Sequence, residues 1–185
     1  MKRAVFLDRD GTLIEEAGYL DRLEQIAFFP FSVDAVRLLN RAGFAVLVVT
    51  NQSGVARGLF DEAFVERAHR EMAATLASGG AVVDGFFYCP HHPDAVVSAY
   101  RSVCDCRKPQ PGLLTKAATV HGVDLSRSFV VGDRAHDVES GMVVGAAGAL
   151  VRTGYGTAYE AAARARGAVI TNNLMEAVAW ILRQP

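Results

Sequence analysis

The chain has 185 residues, of which 51% are hydrophobic, and its 19 basic and 20 acidic residues give a formal net charge of −1 at pH 7. This length and hydrophobic content predict a single domain over residues 1–185 with one well-buried core. The balanced charge implies no general attraction to nucleic acid or to anionic membranes, and no apolar run is long enough to span a membrane, so we expect a cytoplasmic protein. We also expect a monomer with a small-molecule substrate and no nucleic-acid or membrane partner.

The first predicted element is a buried strand that ends in two carboxylates. Residues 5–7 are apolar, and Asp8, Arg9 and Asp10 follow them, with a glycine and a threonine next. Side chains alternate along a strand, so Asp8 and Asp10 share one side while Arg9 points away. Two neighbouring carboxylates stay ionised together beside a hard cation such as Mg²⁺, which makes Asp8 a candidate nucleophile towards phosphorus and Asp10 a candidate general acid and base. An acidic turn is the alternative that this pattern alone leaves open.

Residues 15–29 show neither a helical nor a strand period, which predicts a loop or short flap beside the carboxylates. Ser32 is a predicted N-cap for a helix over residues 34–41, which Gly43 would end. The apolar run 44–49 then predicts a second central strand.

The second strand ends in hydroxyl, amide and glycine residues, a composition that can hold phosphate oxygens, although it is also typical of a helix-capping turn. These residues are Thr50, Asn51, Gln52, Ser53 and Gly54. Arg57 lies nearby in the sequence and can add a positive charge. A helix is predicted over residues 61–76, in which His69 is a packing or surface residue without an assigned function.

Three cysteines and a histidine pair form the pattern of a metal-binding loop. Cys89 stands two residues before His91, and Cys104 stands two residues before Cys106. Three sulfurs and one nitrogen complete a closed tetrahedral zinc site, so we predict structural Zn²⁺, with buried unligated thiols as the alternative. The short Cys-x-His spacing favours His91 as the zinc ligand. Spacing alone leaves its neighbour His92 open as an alternative ligand.

Two cations, Arg107 and Lys108, follow the last cysteine directly. Lys108 is a point charge that can bridge Asp8 and a phosphoryl oxygen, whereas the planar fork of Arg107 suits a more distant substrate oxygen or a second phosphate. A solvated basic turn is the alternative. The proline and glycine at either end predict a helix over residues 111–121.

A further strand is predicted over residues 128–131 and ends in Gly132-Asp133. Asp133 is the natural third carboxylate for Mg²⁺. Asp137 can bind the metal or act as the N-cap of a helix over residues 137–144, and the sequence leaves both open. His136 has no required role. The remaining elements are a strand over 149–151, a helix over 158–166, a strand over 168–170 and a helix over 174–182.

Alternating strands and helices predict an α/β fold, in which a parallel sheet is covered on both faces and carries its site at the carboxyl ends of the strands. The motifs at the strand ends together resemble the haloacid dehalogenase (HAD) superfamily of phosphotransferases along the whole chain. Several finer features together are similar to those of the D-glycero-D-manno-heptose 1,7-bisphosphate 7-phosphatases, namely the motif at residues 8–12, Gly18-Tyr19 in the flap, residues 50–58, residues 89–93 and residues 104–109. Histidinol-phosphate phosphatases are close relatives with the same cysteine loop.

This resemblance implies a Rossmann-like, HAD-like fold with a zinc-stapled loop and no large cap domain. It implies Mg²⁺-dependent hydrolysis of the C7 phosphate of the heptose bisphosphate through an aspartyl-phosphate, on the route to nucleotide-activated heptose for lipopolysaccharide and other surface polysaccharides. Histidinol-phosphate hydrolysis is the alternative activity. A catalytically silent module that binds metal and phosphate is a third possibility, which the intact Asp8 and Asp10 pair argues against.

The resemblance also implies a role for individual residues. Asp8 would be the nucleophile and Asp10 the general acid and base, while Thr50 and Lys108 would stabilise the phosphoryl group. Mg²⁺ would bind Asp8, the backbone carbonyl of Asp10 and Asp133, and Zn²⁺ would bind Cys89, His91, Cys104 and Cys106. The substrate would contact Glu16, Ala17, Gly18, Tyr19, Thr50, Asn51, Gln52, Ser53, Arg57, Arg107, Lys108 and Arg134. Glu16, Ala17 and Arg134 depart from the family pattern at positions that would set substrate or anomer preference.

Overall fold

The computed structural model describes residues 1–185 and consists of six strands with helices on both sides. The strands are β1 (Ala4–Leu7), β2 (Ala45–Asn51), β3 (Gly85–Cys89), β4 (Phe129–Gly132), β5 (Ala147–Val151) and β6 (Val169–Thr171). The α-helices are α1 (Ser32–Arg41), α2 (Ser53–Ala56), α3 (Glu62–Ser78), α4 (Gly112–His121), α5 (Ala135–Val143), α6 (Gly156–Ala165) and α7 (Leu174–Ile181). Short 3-10 helices cover Leu23–Gln25, Ser98–Tyr100 and Leu125–Arg127.

The six strands form one sheet in the order β3-β2-β1-β4-β5-β6, and every neighbouring pair is parallel. The first three strands therefore run from β1 in the centre to β3 at one edge. The chain then crosses to β4, which lies on the other side of β1, and continues to β6 at the opposite edge. Parallel sheets of this kind bind ligands beyond the carboxyl ends of the strands, where the order of the strands reverses. This parallel α/β architecture confirms the predicted fold class and places the carboxyl ends of β1 and β4 side by side.

Separate hydrophobic clusters cover the two faces of the sheet. The largest contains side chains of α1, α3 and α7, such as Val36, Met72 and Val178, packed against the strands. On the other face, α4 contributes Leu114, and a smaller cluster joins α5 and α6 through Val138 and Ala163. Full burial of a leucine or methionine side chain stabilises a fold by about 1.5–3 kcal/mol, so the covered faces hold β1 rigidly in the centre.

Several local predictions differ from the structure. The prediction that Ser32 caps a helix is wrong, because Ser32 is itself the first residue of α1 and its hydroxyl donates 2.6 Å to the carbonyl of Leu13. This bond ties the loop after β1 to the next helix. Helix α5 begins two residues before Asp137, and α2 and β3 were not predicted as elements. No helix of the protein is long and apolar enough to span a lipid bilayer.

Candidate active site

The site is centred on a buried lysine that lies between two aspartates. The Lys108 Nζ donates 2.7 Å to Asp8 Oδ1 and 2.7 Å to the carbonyl of Val49, and it lies 2.6 Å from Asp137 Oδ1. The structure therefore brings together Asp8 and Lys108, as the sequence predicts. The two hydrogen bonds and the ion pair with Asp137 fix the position of the ammonium group.

Three buried carboxylates meet beside this lysine. Asp8 follows β1, Asp133 follows β4 and Asp137 lies in α5, and one oxygen from each lies within 4.8 Å of the others. Burial is the largest cause that raises the pKa of Asp8 to about 7 and the pKa of Asp133 to about 8, and mutual repulsion of the carboxylates adds to it. Asp133 Oδ1 is buried without a hydrogen-bond partner. A hard divalent cation that accepts oxygen ligands fits this cluster.

The carboxylate of Asp137 has two partners within the protein. Its Oδ2 accepts a hydrogen bond of 2.9 Å from the backbone N–H of Arg134, and its Oδ1 pairs with Lys108. Burial opposes ionisation here, but the charge of Lys108 holds the pKa of Asp137 below its ordinary value. Asp137 therefore stabilises both the start of α5 and the lysine, and direct metal contact by Asp137 stays a prediction.

Two glycines allow the loops after β1 and β5 to close around Asp133. Gly11 has φ +77° and Gly154 has φ +58°, and a Cβ at either position would overlap the Asp133 carboxylate. The backbone N–H of Tyr155 donates 2.8 Å to Asp133 Oδ2 and fixes the carboxylate in this cradle. Positive φ favours glycine, so the sequence allows a close approach here that other residues would prevent.

The prediction that Arg9 points away from the site is wrong. Its guanidinium is buried, and Nη2 donates 3.0 Å to Asp10 Oδ1 and 3.0 Å to Gln52 Oε1. The reason is that a buried arginine needs a carboxylate partner, and its long side chain can turn back to reach one. Asp10 lies outside the group of three carboxylates that could share a cation.

The two amides at the end of β2 are bonded to neighbouring chain segments. Asn51 Nδ2 donates 3.1 Å to the carbonyl of Lys108, and Asn51 Oδ1 accepts a 3.0 Å bond from the backbone N–H of Lys108. Gln52 Nε2 donates to Thr50 Oγ1 and to Asp10 Oδ2, at 2.9 and 3.0 Å. Both side chains border the site, but their hydrogen bonds are made to the protein.

A cavity of about 390 Å³ opens above these groups. Its lining includes most of the predicted substrate residues, namely Glu16, Gly18, Tyr19, Thr50, Asn51, Gln52, Ser53, Arg57, Arg107 and Arg134. Ala17 and the buried Lys108 are not in the lining. The lining also contains residues that sequence reasoning missed or set aside, namely Leu20, Phe60, His92, His136 and Tyr155. Tyr155 lies just beyond the end of β5, and the strand-end rule could have found it.

The charged groups of the cavity wall differ in how they are paired. Arg107 and Arg57 lie near His92, and after burial their charges are the next causes that lower the pKa of this histidine. Elsewhere in the lining, Arg134 lies 3.4 Å from a Glu16 oxygen, and its guanidinium stacks 4.2 Å above the Tyr155 ring centroid. The first group offers positive charge to an anion, whereas Glu16 balances the charge of Arg134.

The predicted zinc ligands form a compact cluster. Their sulfurs are 3.0 to 3.5 Å apart, and His91 Nδ1 lies 3.4 Å from Cys106 Sγ and 3.7 Å from Cys89 Sγ. These separations exceed the S–S bond of a disulfide, which is about 2.0 Å, and four such donors fit one tetrahedral Zn²⁺. The structure brings in His91 and not His92, whose Nδ1 accepts a bond from the N–H of Asp94.

The cluster is linked to the active site by the residues that follow it. Arg107 Nη1 donates 3.3 Å to the carbonyl of His91, and the next residue, Lys108, reaches Asp8. Burial raises the pKa of the Cys89 thiol, so the thiolate needs a compensating cation. The donor set and its position fit a metal that anchors the two cations of the site.

Comparison with known proteins agrees with this arrangement. A HAD-hydrolase-like family model matches residues 105–177. The chain is 44% identical over 152 residues to the D-glycero-beta-D-manno-heptose-1,7-bisphosphate 7-phosphatase of Escherichia coli K12, which covers 82% of this chain and 80% of the relative. A crystal structure of the D,D-heptose 1,7-bisphosphate phosphatase of B. bronchiseptica, complexed with magnesium and phosphate, covers 100% of both chains with 35% identity and a TM-score of 0.88. The corresponding Burkholderia thailandensis structure shows 30% identity and a TM-score of 0.74 over 99% of this chain and 100% of that one.

The fold, the aspartates at the strand ends and the buried lysine define a HAD-like hydrolase of the phosphatase class. Within this class, the extent and identity of the match show that the chain belongs to the family of heptose-1,7-bisphosphate 7-phosphatases.

We predict that the metal-free protein loses stability as the pH rises from about 6.5 to about 8. Below this range the loss is opposed, because burial lowers the pKa of His69 to about 3 and that of His136 to about 4. Asp8 and Asp133 have folded-state pKa values of about 7 and about 8, above the ordinary value of 3.8, so the folded protein holds more protons than the unfolded chain. The contribution of these two carboxyl groups to the free energy of unfolding therefore falls as the pH rises. For a protein of this size, each 1 kcal/mol lost lowers Tm by about 2–4 °C, which thermal unfolding in EDTA will detect.

Asp133→Asn is the matched variant for this measurement, because it keeps the shape of the side chain and removes one ionisation. We expect a shallower fall of Tm with pH in this variant. Added Mg²⁺ should raise the Tm of the unsubstituted protein more at pH 8 than at pH 6, since the cation competes with protons. Equal pH slopes for the two proteins in EDTA would contradict the prediction.

Proposed function

We propose that the protein hydrolyses the C7 phosphate of D-glycero-D-manno-heptose 1,7-bisphosphate. The observation that carries this proposal is positive charge at two places beside one cavity, each able to receive a phosphate. Lys108, beside Asp8, supplies the first at the carboxyl end of β1, and Arg57 and Arg107 supply the second near His92. A sugar that carries two phosphates matches this division, and the names of the relatives support the same substrate.

In the first step, an Asp8 oxygen attacks phosphorus, and the bond from phosphorus to the sugar oxygen breaks. Asp10 gives its proton to the departing oxygen, which leaves an aspartyl-phosphate on Asp8. Lys108 already donates to Asp8, so its charge is placed where negative charge develops on the phosphoryl oxygens. Thr50 is buried beside Gln52 and offers its hydroxyl to the same group.

In the second step, water attacks the phosphorus of the aspartyl-phosphate. Asp10, now a carboxylate, takes a proton from this water, and Asp8 is released together with inorganic phosphate. The two steps return both aspartates to their starting states. The same residue thus serves as acid and then as base, which requires Asp10 to keep one position throughout the cycle.

We propose Mg²⁺ and Zn²⁺ as the two metals. Asp8, Asp133 and the carbonyl of Asp10 would hold Mg²⁺, and the unpartnered Asp133 Oδ1 supports this. When bound, Mg²⁺ supplies positive charge that offsets the repulsion between the carboxylates and the phosphate. A relative in this family was crystallised with magnesium and phosphate. Zn²⁺ would bind Cys89, His91, Cys104 and Cys106 in a structural role.

We expect Asp8→Asn to abolish phosphate release from the heptose bisphosphate, because an amide oxygen is a far weaker nucleophile towards phosphorus. The expected loss in kcat is at least about 10⁴-fold, comparable to the loss of other catalytic nucleophiles. Phosphate release with Mg²⁺ will be measured on both anomers of the heptose bisphosphate and on histidinol phosphate. Thermal unfolding will establish that the variant is folded.

The substrate comparison decides between the related activities. A higher kcat/KM for one heptose bisphosphate anomer supports the proposal, and a higher value for histidinol phosphate overturns the choice of substrate while keeping the chemistry. Full turnover by folded Asp8→Asn protein would overturn the chemistry itself.

We predict that Cys104→Ser removes most of the bound zinc and lowers activity without unfolding the sheet. The cluster staples the loop that leads into Arg107 and Lys108, whereas the main hydrophobic core lies among other elements. Zinc content by atomic spectroscopy, activity and far-UV circular dichroism are the three measurements. His92→Ala is the matched control for zinc, because His92 lies beside the cluster but bonds to Asp94. Full zinc content and activity in Cys104→Ser would contradict the prediction.

A further inference from the structure

Two buried residues beside the nucleophile, Arg9 and Gln52, have no role in the proposed chemistry but bond to residues that do. Arg9 donates from Nε and Nη2 to the carboxylate of Asp10, at 3.0 to 3.2 Å, and from Nη2 to Gln52 Oε1 at 3.0 Å. Gln52 Nε2 donates to Asp10 Oδ2 at 3.0 Å and to Thr50 Oγ1 at 2.9 Å. The two donor residues are buried, with exposed fractions of 2% for Arg9 and 5% for Gln52.

These bonds leave Gln52 without an amide proton for a substrate. Nε2 has two protons, and they are directed at Asp10 and at Thr50, while Oε1 accepts from Arg9. A residue that recognised the sugar would instead direct a free donor or acceptor into the cavity. Gln52 therefore acts as a brace, which here means a side chain whose hydrogen bonds join other residues of the protein and not the substrate.

Asp10 needs such a brace. Its side chain is 21% exposed at the edge of the cavity. Without hydrogen-bond partners, the carboxylate could therefore rotate about its side-chain bonds. Proton transfer requires the carboxylate to lie within about 2.6–3.2 Å of the departing oxygen, so a change of rotamer would stop it. Donors from Arg9 and Gln52 approach the carboxylate together and select one orientation.

We propose that Arg9 and Gln52 are positioning residues. They fix the orientation of the carboxylate of Asp10, the general acid and base, and its distance from the Thr50 hydroxyl. The inference rests on the proposed function, because it assumes that Asp10 protonates the leaving group. Gln52 joins Asp10 to the hydroxyl that contacts the phosphoryl group, so the proton donor and the phosphoryl site keep a fixed separation. These bonds act on the leaving-group oxygen, because Thr50 lies within β2 and the sheet holds it beside the phosphoryl site without the bond from Gln52.

This role predicts an effect that depends on the leaving group. The heptose C7 oxygen is a poor leaving group that needs a proton, whereas p-nitrophenolate departs without one. The ratio kcat/KM reports the steps up to loss of the leaving group, so it isolates the step in which Asp10 acts as an acid. Gln52→Leu and Arg9→Met should lower kcat/KM for the heptose bisphosphate by about 10–100-fold, part of the 10²–10⁴-fold that general acid catalysis contributes. For p-nitrophenyl phosphate, kcat/KM should change less than about threefold, since no proton transfer is lost.

Three further variants make the comparison specific. Gln52→Glu keeps the shape of the side chain and an acceptor for Arg9 but cannot donate to Asp10, so it should show the same selective loss with the fold retained. Arg9→Lys keeps the charge and should recover part of the activity of Arg9→Met. Asn51→Leu is the matched control, because the neighbouring amide clamps Lys108 and should affect both substrates alike.

Equal losses for the two substrates in Gln52→Glu, or a raised KM with unchanged kcat for the heptose bisphosphate, would overturn the brace. Asp10→Asn must also lower kcat/KM more for the heptose bisphosphate than for p-nitrophenyl phosphate. Equal losses for the two substrates in Asp10→Asn would overturn the premise that Asp10 protonates the leaving group. Failure of the proposed function is a separate result: phosphate release by Asp8→Asn equal to that of the unsubstituted protein would show it directly.

Discussion

The buried ammonium of Lys108 is the constraint on which the rest of the structure depends. It lies between Asp8 and Asp137 while Asp133 stands close by, so three buried carboxylates face one cation at the bottom of the cavity. Such an excess of buried negative charge is costly unless further positive charge is supplied. This excess of negative charge favours the binding of a further cation, which a metal-dependent phosphatase requires.

The lysine is placed by parts of the chain that are far from it in sequence. Asn51 at the end of β2 holds the backbone of Lys108 from both sides, and Arg107 is bonded to the carbonyl of His91 in the cysteine loop. The loop between β3 and α4 contains little regular structure, so a zinc ion would supply order that packing does not. The cluster of three cysteines and His91 is thus linked directly to the active site.

The sequence predicted those parts of the site that follow from backbone geometry. Asp8 and Asp133 stand at the carboxyl ends of adjacent parallel strands, so the periodicity of the strands alone brings them together. The same reasoning failed for Arg9, because a long side chain can turn back to a partner that strand alternation does not reveal. It also failed for Ser32, whose hydroxyl bonds to Leu13 across the loop, and for His136, which enters the cavity from α5. These contacts depend on tertiary structure that no local pattern encodes.

Chemistry and recognition are carried by different kinds of structure in this fold. Asp8, Thr50 and Asp133 lie on or directly beside central strands whose side chains are buried on both faces, so their separations are fixed by the sheet. Glu16 and Arg107 lie on loops, where substitution leaves the hydrophobic core unchanged. Arg134 belongs to both groups, because its backbone bonds to Asp137 while its side chain pairs with Glu16. Changes at Arg134 are therefore constrained by the catalytic cluster, whereas changes at Glu16 act through the flap at Gly18 and through the ion pair with Arg134.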